Sequence, residues 1–135
     1  MYTAGERVLI VDEYAPSRIA LTRALARRGH VCMAVTTAPE ALAAVATFSP
    51  TIAVVEWAFR DGSGVGLAGL LRERARIDHR HLAVIALSHA NEPADAREAF
   101  DEYLVKPTST DELEQAFSRH STGSRQIAGA CTHSR

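Results

Sequence analysis

Four of the short apolar runs in this chain end in side chains that could do chemistry. Asp12 and Glu13 follow Val8-Leu9-Ile10-Val11, and Glu56 closes Ile52-Ala53-Val54-Val55. Ser88 follows the run from Leu82 to Leu87, and Lys106, backed by Pro107, follows Tyr103-Leu104-Val105. Three carboxylates, a hydroxyl and one ammonium gathered in one place make a net-negative cluster. Such a cluster requires a weakly held cation, solvent, or a proton on one carboxyl group. Each residue alone has a plainer reading, Asp12 and Glu13 as helix caps and Lys106 as a solvated lysine. Their arrival at the ends of four separate runs argues for a common site.

The elements that would position them can be read from the pattern. The four runs, and a fifth at Val31-Cys32-Met33-Ala34-Val35, are apolar throughout instead of alternating with polar residues. That is the signature of strands buried on both faces, as in a parallel sheet. Amphipathic stretches lie between them. Leu21, Leu25 and nearby alanines give one helix from Pro16 to Arg28, with Gly29 as its stop. Thr37 with Glu40, and Ser109 with Glu112, have the spacing of capping boxes opening two more helices. Leu67, Leu70 and Leu71 mark a third helix, and Ala96 and Phe100, after Pro93, a short fourth. Leu113 and Phe117 share one face of the last. Five βα units in succession require helices on both sheet faces, so the fold class is α/β, a doubly wound sandwich. Ligands of such sheets bind beyond the carboxyl ends of the strands, where the reactive residues collect.

Size and composition fit this architecture. The 135 residues suffice for one domain, with 47% hydrophobic and 23% charged residues and a formal net charge of -1. That charge gives no global pull toward nucleic acid or a membrane. Arg23, Arg27 and Arg28, and Arg72, Arg74 and Arg76, read as solvated helix faces. Cys32 and Cys131 are too few and too far apart for a disulfide framework or a zinc site, which points to a reducing cytoplasm. No apolar run is long enough to span a membrane, and the N-terminus has no signal-peptide pattern. Periodicity stops at Ser121, so the reading is one domain over residues 1–120 and a flexible tail or linker stub over 121–135.

The motifs V-L-I-V-D-E, V-V-E-W-A-F-R-D-G-S-G, V-I-A-L-S and Y-L-V-K-P occur in this order and spacing. Across roughly Arg7 to Phe117 the chain thereby resembles the receiver domain of bacterial response regulators. The resemblance implies a flavodoxin-like (βα)5 sheet of order 2-1-3-4-5. It implies an acidic pair, Asp12 and Glu13, that binds Mg²⁺, and a phosphoacceptor position at Glu56. Ser88 and Lys106 would hold phosphate oxygens, Tyr103 would be the switch aromatic, and the Lys106-Pro107 bond would be cis. If Mg²⁺ binds, Glu13, Glu56 and the backbone carbonyl of Ala58 would be its protein ligands. Implied partners are a histidine kinase, a phosphotransfer protein or an output protein. They would dock on the face of the fourth helix, fifth strand and fifth helix, which also mediates homodimers in the family.

Departures from that pattern decide the functional reading. Glu56 stands where the family has its acceptor aspartate, Glu13 replaces the second acidic aspartate, and Arg60 and His89 occupy positions usually held by proline and a small residue. Two lengthened carboxylates argue against octahedral Mg²⁺, so no cofactor is required. The longer arm of Glu56 can instead meet Lys106. A phosphorylation-independent, non-enzymatic signalling module follows, acting either as a partial mimic of the phosphorylated state or as a docking scaffold. The alternatives are a phosphotransfer-competent, Mg²⁺-dependent receiver and a flavodoxin-like cofactor binder. The acidic residues after the first strand oppose the latter, since a phosphate cradle needs free backbone N–H groups there. Asp61-Gly62-Ser63-Gly64 reads as a turn. Trp57 reads as packing beside the site or lying exposed, Cys32 as a small core residue, and His79 and His81 as loop or surface residues without a third ligand. No helix-turn-helix pattern supports DNA binding.

Overall fold

The computed structural model describes residues 5–56, 64–88 and 99–120. Five parallel strands form one sheet in the order β2-β1-β3-β4-β5. They are β1 (Arg7–Val11), β2 (Val31–Val35), β3 (Ile52–Glu56), β4 (Ala83–Ser88) and β5 (Glu102–Val105). The helices are α1 (Ala15–Arg27), α2 (Ala38–Phe48), α3 (Gly64–Ile77) and α4 (Thr110–His120). Here α4 is the last helix of the sequence reading. The short helix expected near Ala96 lies outside the described residues, as do Trp57, Ala58, Arg60, Asp61-Gly62-Ser63, His89, Cys131 and the tail.

Strand alternation divides the core into two slabs. Leu9, Val11, Ala53, Val55, Val84 and Ala86 pack beneath α2 and α3. Val8, Ile10, Ile52, Val54 and Ile85 pack on the other face with Leu25 of α1 and with Leu113, Ala116 and Phe117 of α4. Continuous apolar runs are required for this arrangement, since both residue parities face a helix layer. The run at β2 departs from that expectation. It pairs only with β1, so it is an edge strand, and Val31 and Met33 are exposed. On α3 the buried stripe is Leu67, Ala68, Leu71 and Ala75, while Leu70 is exposed.

Helix ends follow local chemistry. Ser109 and Glu112 form a reciprocal capping box: the Glu112 N–H donates to Ser109 Oγ and the Ser109 N–H to Glu112 Oε1. At α2, Thr37 accepts the Glu40 N–H, and the Glu40 carboxylate accepts chiefly from Thr36. Gly29, at φ 94°, takes the left-handed conformation that ends α1, and the His30 N–H returns to the Leu25 carbonyl. His79 plays the same part after α3 at φ 58°, so it is not in an extended segment beside His81. Cys32 is half-buried against the α1/α4 slab, and burial pushes its thiol pKa up.

Candidate functional site

The strand ladder lines up the chemically useful residues. Val11 pairs with Val55, Glu56 with Leu87, and Ser88 with Val105. Asp12 is therefore one residue past β1, Glu56 and Ser88 end β3 and β4, and Lys106 is one residue past β5. Asp12, Glu13, Glu56 and Lys106 line a common cleft at this edge. Ser88 is buried at the end of β4, where its carbonyl accepts the Lys106 N–H at 2.6 Å. Tyr103 lies apart from the cleft. It packs on the α2/α3 slab, with its ring 6.4 Å from that of Phe100. The Lys106-Pro107 peptide bond is cis.

Glu56 and Lys106 form an ion pair, with Lys106 Nζ donating to Glu56 Oε1 at 2.6 Å. The side chains are 10% and 20% exposed, so the pair is largely shielded and more than a surface contact.

Asp12 is buried and anchors the start of α1. Its Oδ1 accepts the Tyr14 N–H at 2.9 Å, and its Oδ2 accepts a short hydrogen bond from the Ser17 hydroxyl. Arg18 donates to the Asp12 carbonyl at 3.0 Å. Asp12 does not cap α1, whose N-cap is Tyr14, but it ties the residues around that cap to the cleft. Tyr14, Ser17 and Arg18 were not singled out by sequence. Ser17 had one signal, a hydroxyl on the first turn of the helix that Asp12 precedes.

Of the oxygens implied for Mg²⁺, those of Glu13 and Glu56 line the cleft, and the Ala58 carbonyl lies outside the described residues. An octahedral ion needs several oxygens at near-ideal geometry. Both Asp12 oxygens are engaged, one Glu56 oxygen holds Lys106, and among the described residues no three His, Cys, Asp or Glu side chains converge to hold a metal. His79 and His81 join no such group.

Away from the cleft, His30 ties three elements together. Its Nδ1 accepts the Glu6 N–H at 2.9 Å, its Nε2 lies 2.8 Å from Glu114 Oε2, and Phe117 meets the ring edge-on. At the start of β5, Glu102 pairs with Arg119 and His120. The Arg119 hydrogen bond is the main cause holding its carboxyl below the usual range, with His120 assisting.

A parallel sheet of order 2-1-3-4-5, with acids after β1 and at the end of β3 and a lysine before a cis proline after β5, defines the CheY-like receiver class. The chain belongs to the response regulator receiver domain family, whose profile matches residues 8–118. It is 29% identical over 111 residues to the phosphate regulon transcriptional regulatory protein PhoB of Pseudomonas aeruginosa, covering 81% of this chain and 48% of PhoB. It is 30% identical over 114 residues to the photosynthetic apparatus regulatory protein RegA of Cereibacter sphaeroides, covering 84% of this chain and 61% of RegA. The chain thus spans about half to three-fifths of the length of these relatives. A CheY-like receiver domain from Methylobacillus flagellatus superposes with a TM-score of 0.77 at 25% identity, over 87% of this chain and all of that one. TrrA of Thermotoga maritima, solved in complex with Mg²⁺ and BeF, shares the fold with a TM-score of 0.73 at 23% identity, over 84% of this chain and 97% of that one. The chain is a receiver domain of two-component signalling. Among its described residues no helix is long and apolar enough to cross a membrane.

Proposed function

We propose that this receiver works without phosphorylation and signals by docking to other proteins. The observation that carries the reading is the Glu56–Lys106 ion pair at the acceptor position, 2.6 Å long and largely shielded from water. Lysine supplies the cation that the acidic pocket requires, so neither Mg²⁺ nor another cofactor is needed. No turnover is assigned to the domain, and its setting is the cytoplasm. Its partners are a histidine kinase, a phosphotransfer protein or an output protein. They meet the face carrying β5 and α4, where Val105 is exposed and Glu102 is paired with Arg119. A homodimer through the same face is the self-docking form. Nucleic acid and membrane are not partners of this domain.

The test is a titration with Mg²⁺ and then with beryllofluoride, followed through Trp57, the only tryptophan and the neighbour of Glu56. The expected result is no saturable change in the native chain, and a response to both reagents in Glu56→Asp. A saturating response of the native chain to both would overturn the proposal. It would establish the alternative, a Mg²⁺-dependent receiver competent for phosphotransfer.

A further inference from the structure

Among the described residues β2 pairs only with β1. The Val31 N–H donates to the Glu6 carbonyl, and the Asp12 N–H to the Val35 carbonyl. Bonding alternates along a strand of a parallel ladder, so Val31, Met33 and Val35 bond to β1. The backbone N–H and C=O groups of Cys32 and Ala34 then point away from β1, toward the free edge. Sheet edges are usually blunted by charge or proline. At the other edge, β5 carries Glu102, paired with Arg119 and His120, and runs into Lys106 and the cis Pro107. The β2 run, V-C-M-A-V, holds no charge and no proline, and Val31 and Met33 are 52% and 36% exposed. Beside this edge α1 adds an apolar flank. Its cleft side is fixed by Ala20 and Ala24, and its sheet side by Leu25. At about 100° per residue, Ala15, Ile19 and Ala26 fall on the side away from the cleft, above the edge of β2. All three are exposed.

We infer that this edge is a dimer interface, at which two copies of the chain pair through β2 in antiparallel register about Met33 to form one continuous sheet. In that register Cys32 faces Ala34 of the second copy, and the two exchange both backbone hydrogen bonds, as does the symmetric pair. Met33 faces Met33 of the second copy and Val31 faces Val35, so apolar side chains meet only apolar side chains. The two α1 helices lie on one side of the joined sheet with their apolar flanks toward each other. Charge favours a second copy in this orientation. The chain enters β2 from Arg27 and Arg28 and leaves it toward Glu40. Antiparallel pairing therefore sets basic against acidic at each end, where a parallel neighbour would set like against like. This interface is independent of phosphorylation and lies at the opposite edge of the sheet from the face of β5 and α4.

A strand pair with two short helix flanks falls near or below the ~1,200 Å² of the smaller stable interfaces, so a dissociation constant on the order of 100 µM is expected. Sedimentation velocity of the 135-residue chain across that concentration should show monomer giving way to dimer. Met33→Lys and Met33→Glu should each stay monomeric, since each sets like charges directly opposite one another. An equimolar mixture of the two should dimerise. In the native chain, amide hydrogen exchange at Cys32 and Ala34 should slow several-fold as concentration rises, while the Met33 amide, already bonded to β1, changes little. A native chain that stays monomeric at millimolar concentration would overturn the inference. So would a dimer in which the Cys32 and Ala34 amides gain no protection, or undiminished dimerisation of either charged variant alone. Should neither Met33 variant fold, the exchange measurement on the native chain decides.

Discussion

Replacing Glu56 with aspartate removes one methylene from the arm that reaches Lys106. The Nζ–O separation, 2.6 Å in the native chain, lengthens to about 4 Å if nothing else moves. At an effective dielectric constant of about 20, the attraction falls from about 6 to about 4 kcal/mol. Lys106 is a flexible stem with 20% of its side chain exposed, so it follows part of the way and water fills the rest. The net cost is about 1–2 kcal/mol, or a fall in Tm of about 4–8 °C for a domain of this size. The same substitution frees space and a carboxylate for a cation. For a dissociation constant on the order of 1 mM, 10 mM Mg²⁺ returns about 1.4 kcal/mol by mass action. Thermal denaturation by circular dichroism, with and without Mg²⁺, reads both effects. Glu56→Asp should melt lower than the native chain in EDTA and recover in Mg²⁺, while the native chain should not respond. Equal melting temperatures in EDTA, or equal Mg²⁺ responses, would refute the claim that the longer carboxylate holds the lysine in place of a metal.

Two further substitutions probe the frame. His30→Ala orphans the buried Glu6 N–H and removes the ring between β1 and α4. It should cost about 3 kcal/mol in urea unfolding, and a loss below about 1 kcal/mol would show that the imidazole is not the tie described. Glu102→Gln should cost under about 1 kcal/mol at neutral pH. The folded carboxyl lies below its ordinary value of 4.5, chiefly through Arg119. Its contribution is therefore complete above that value and lost as pH falls below it. The Tm difference between native chain and variant should narrow as the pH falls below 4.5, and a gap independent of pH would contradict the pairing.

Much of the fold was legible because it rests on local signals that agree. Val8–Val11 and Ile52–Val55 are unbroken apolar runs, and a strand covered on both faces leaves them no other place. Ser109 and Glu112 announced their helix by spacing alone. The burial of β2 was misread because run composition does not report strand order. Only the sheet order puts Val31 and Met33 on an edge. Leu67, Leu70 and Leu71 did mark α3, in which Leu67 and Leu71 are buried and Leu70 is exposed. In the site, Asp12, Glu13, Glu56 and Lys106 were placed by following each strand to its end, and they line one cleft. That Tyr103 packs on the α2/α3 slab was not readable, since its slab depends on register. Ser17 escaped notice because its bond to Asp12 depends on how α1 leaves the sheet. The His30–Glu114 link joins residues 84 apart in sequence, and no local pattern encodes it.

The two apolar slabs contain none of the cleft carboxylates and not Lys106. Those groups sit on the rim, at or just beyond the last paired rungs of β1, β3 and β5. An exchange between aspartate and glutamate at the end of β3 thus changes what the rim attracts, while every side chain inside the slabs keeps its neighbours. Such an architecture lets chemistry drift on a short path. One nucleotide change separates the two amino acids, and its cost to folding is that of the ion pair, about 1–2 kcal/mol.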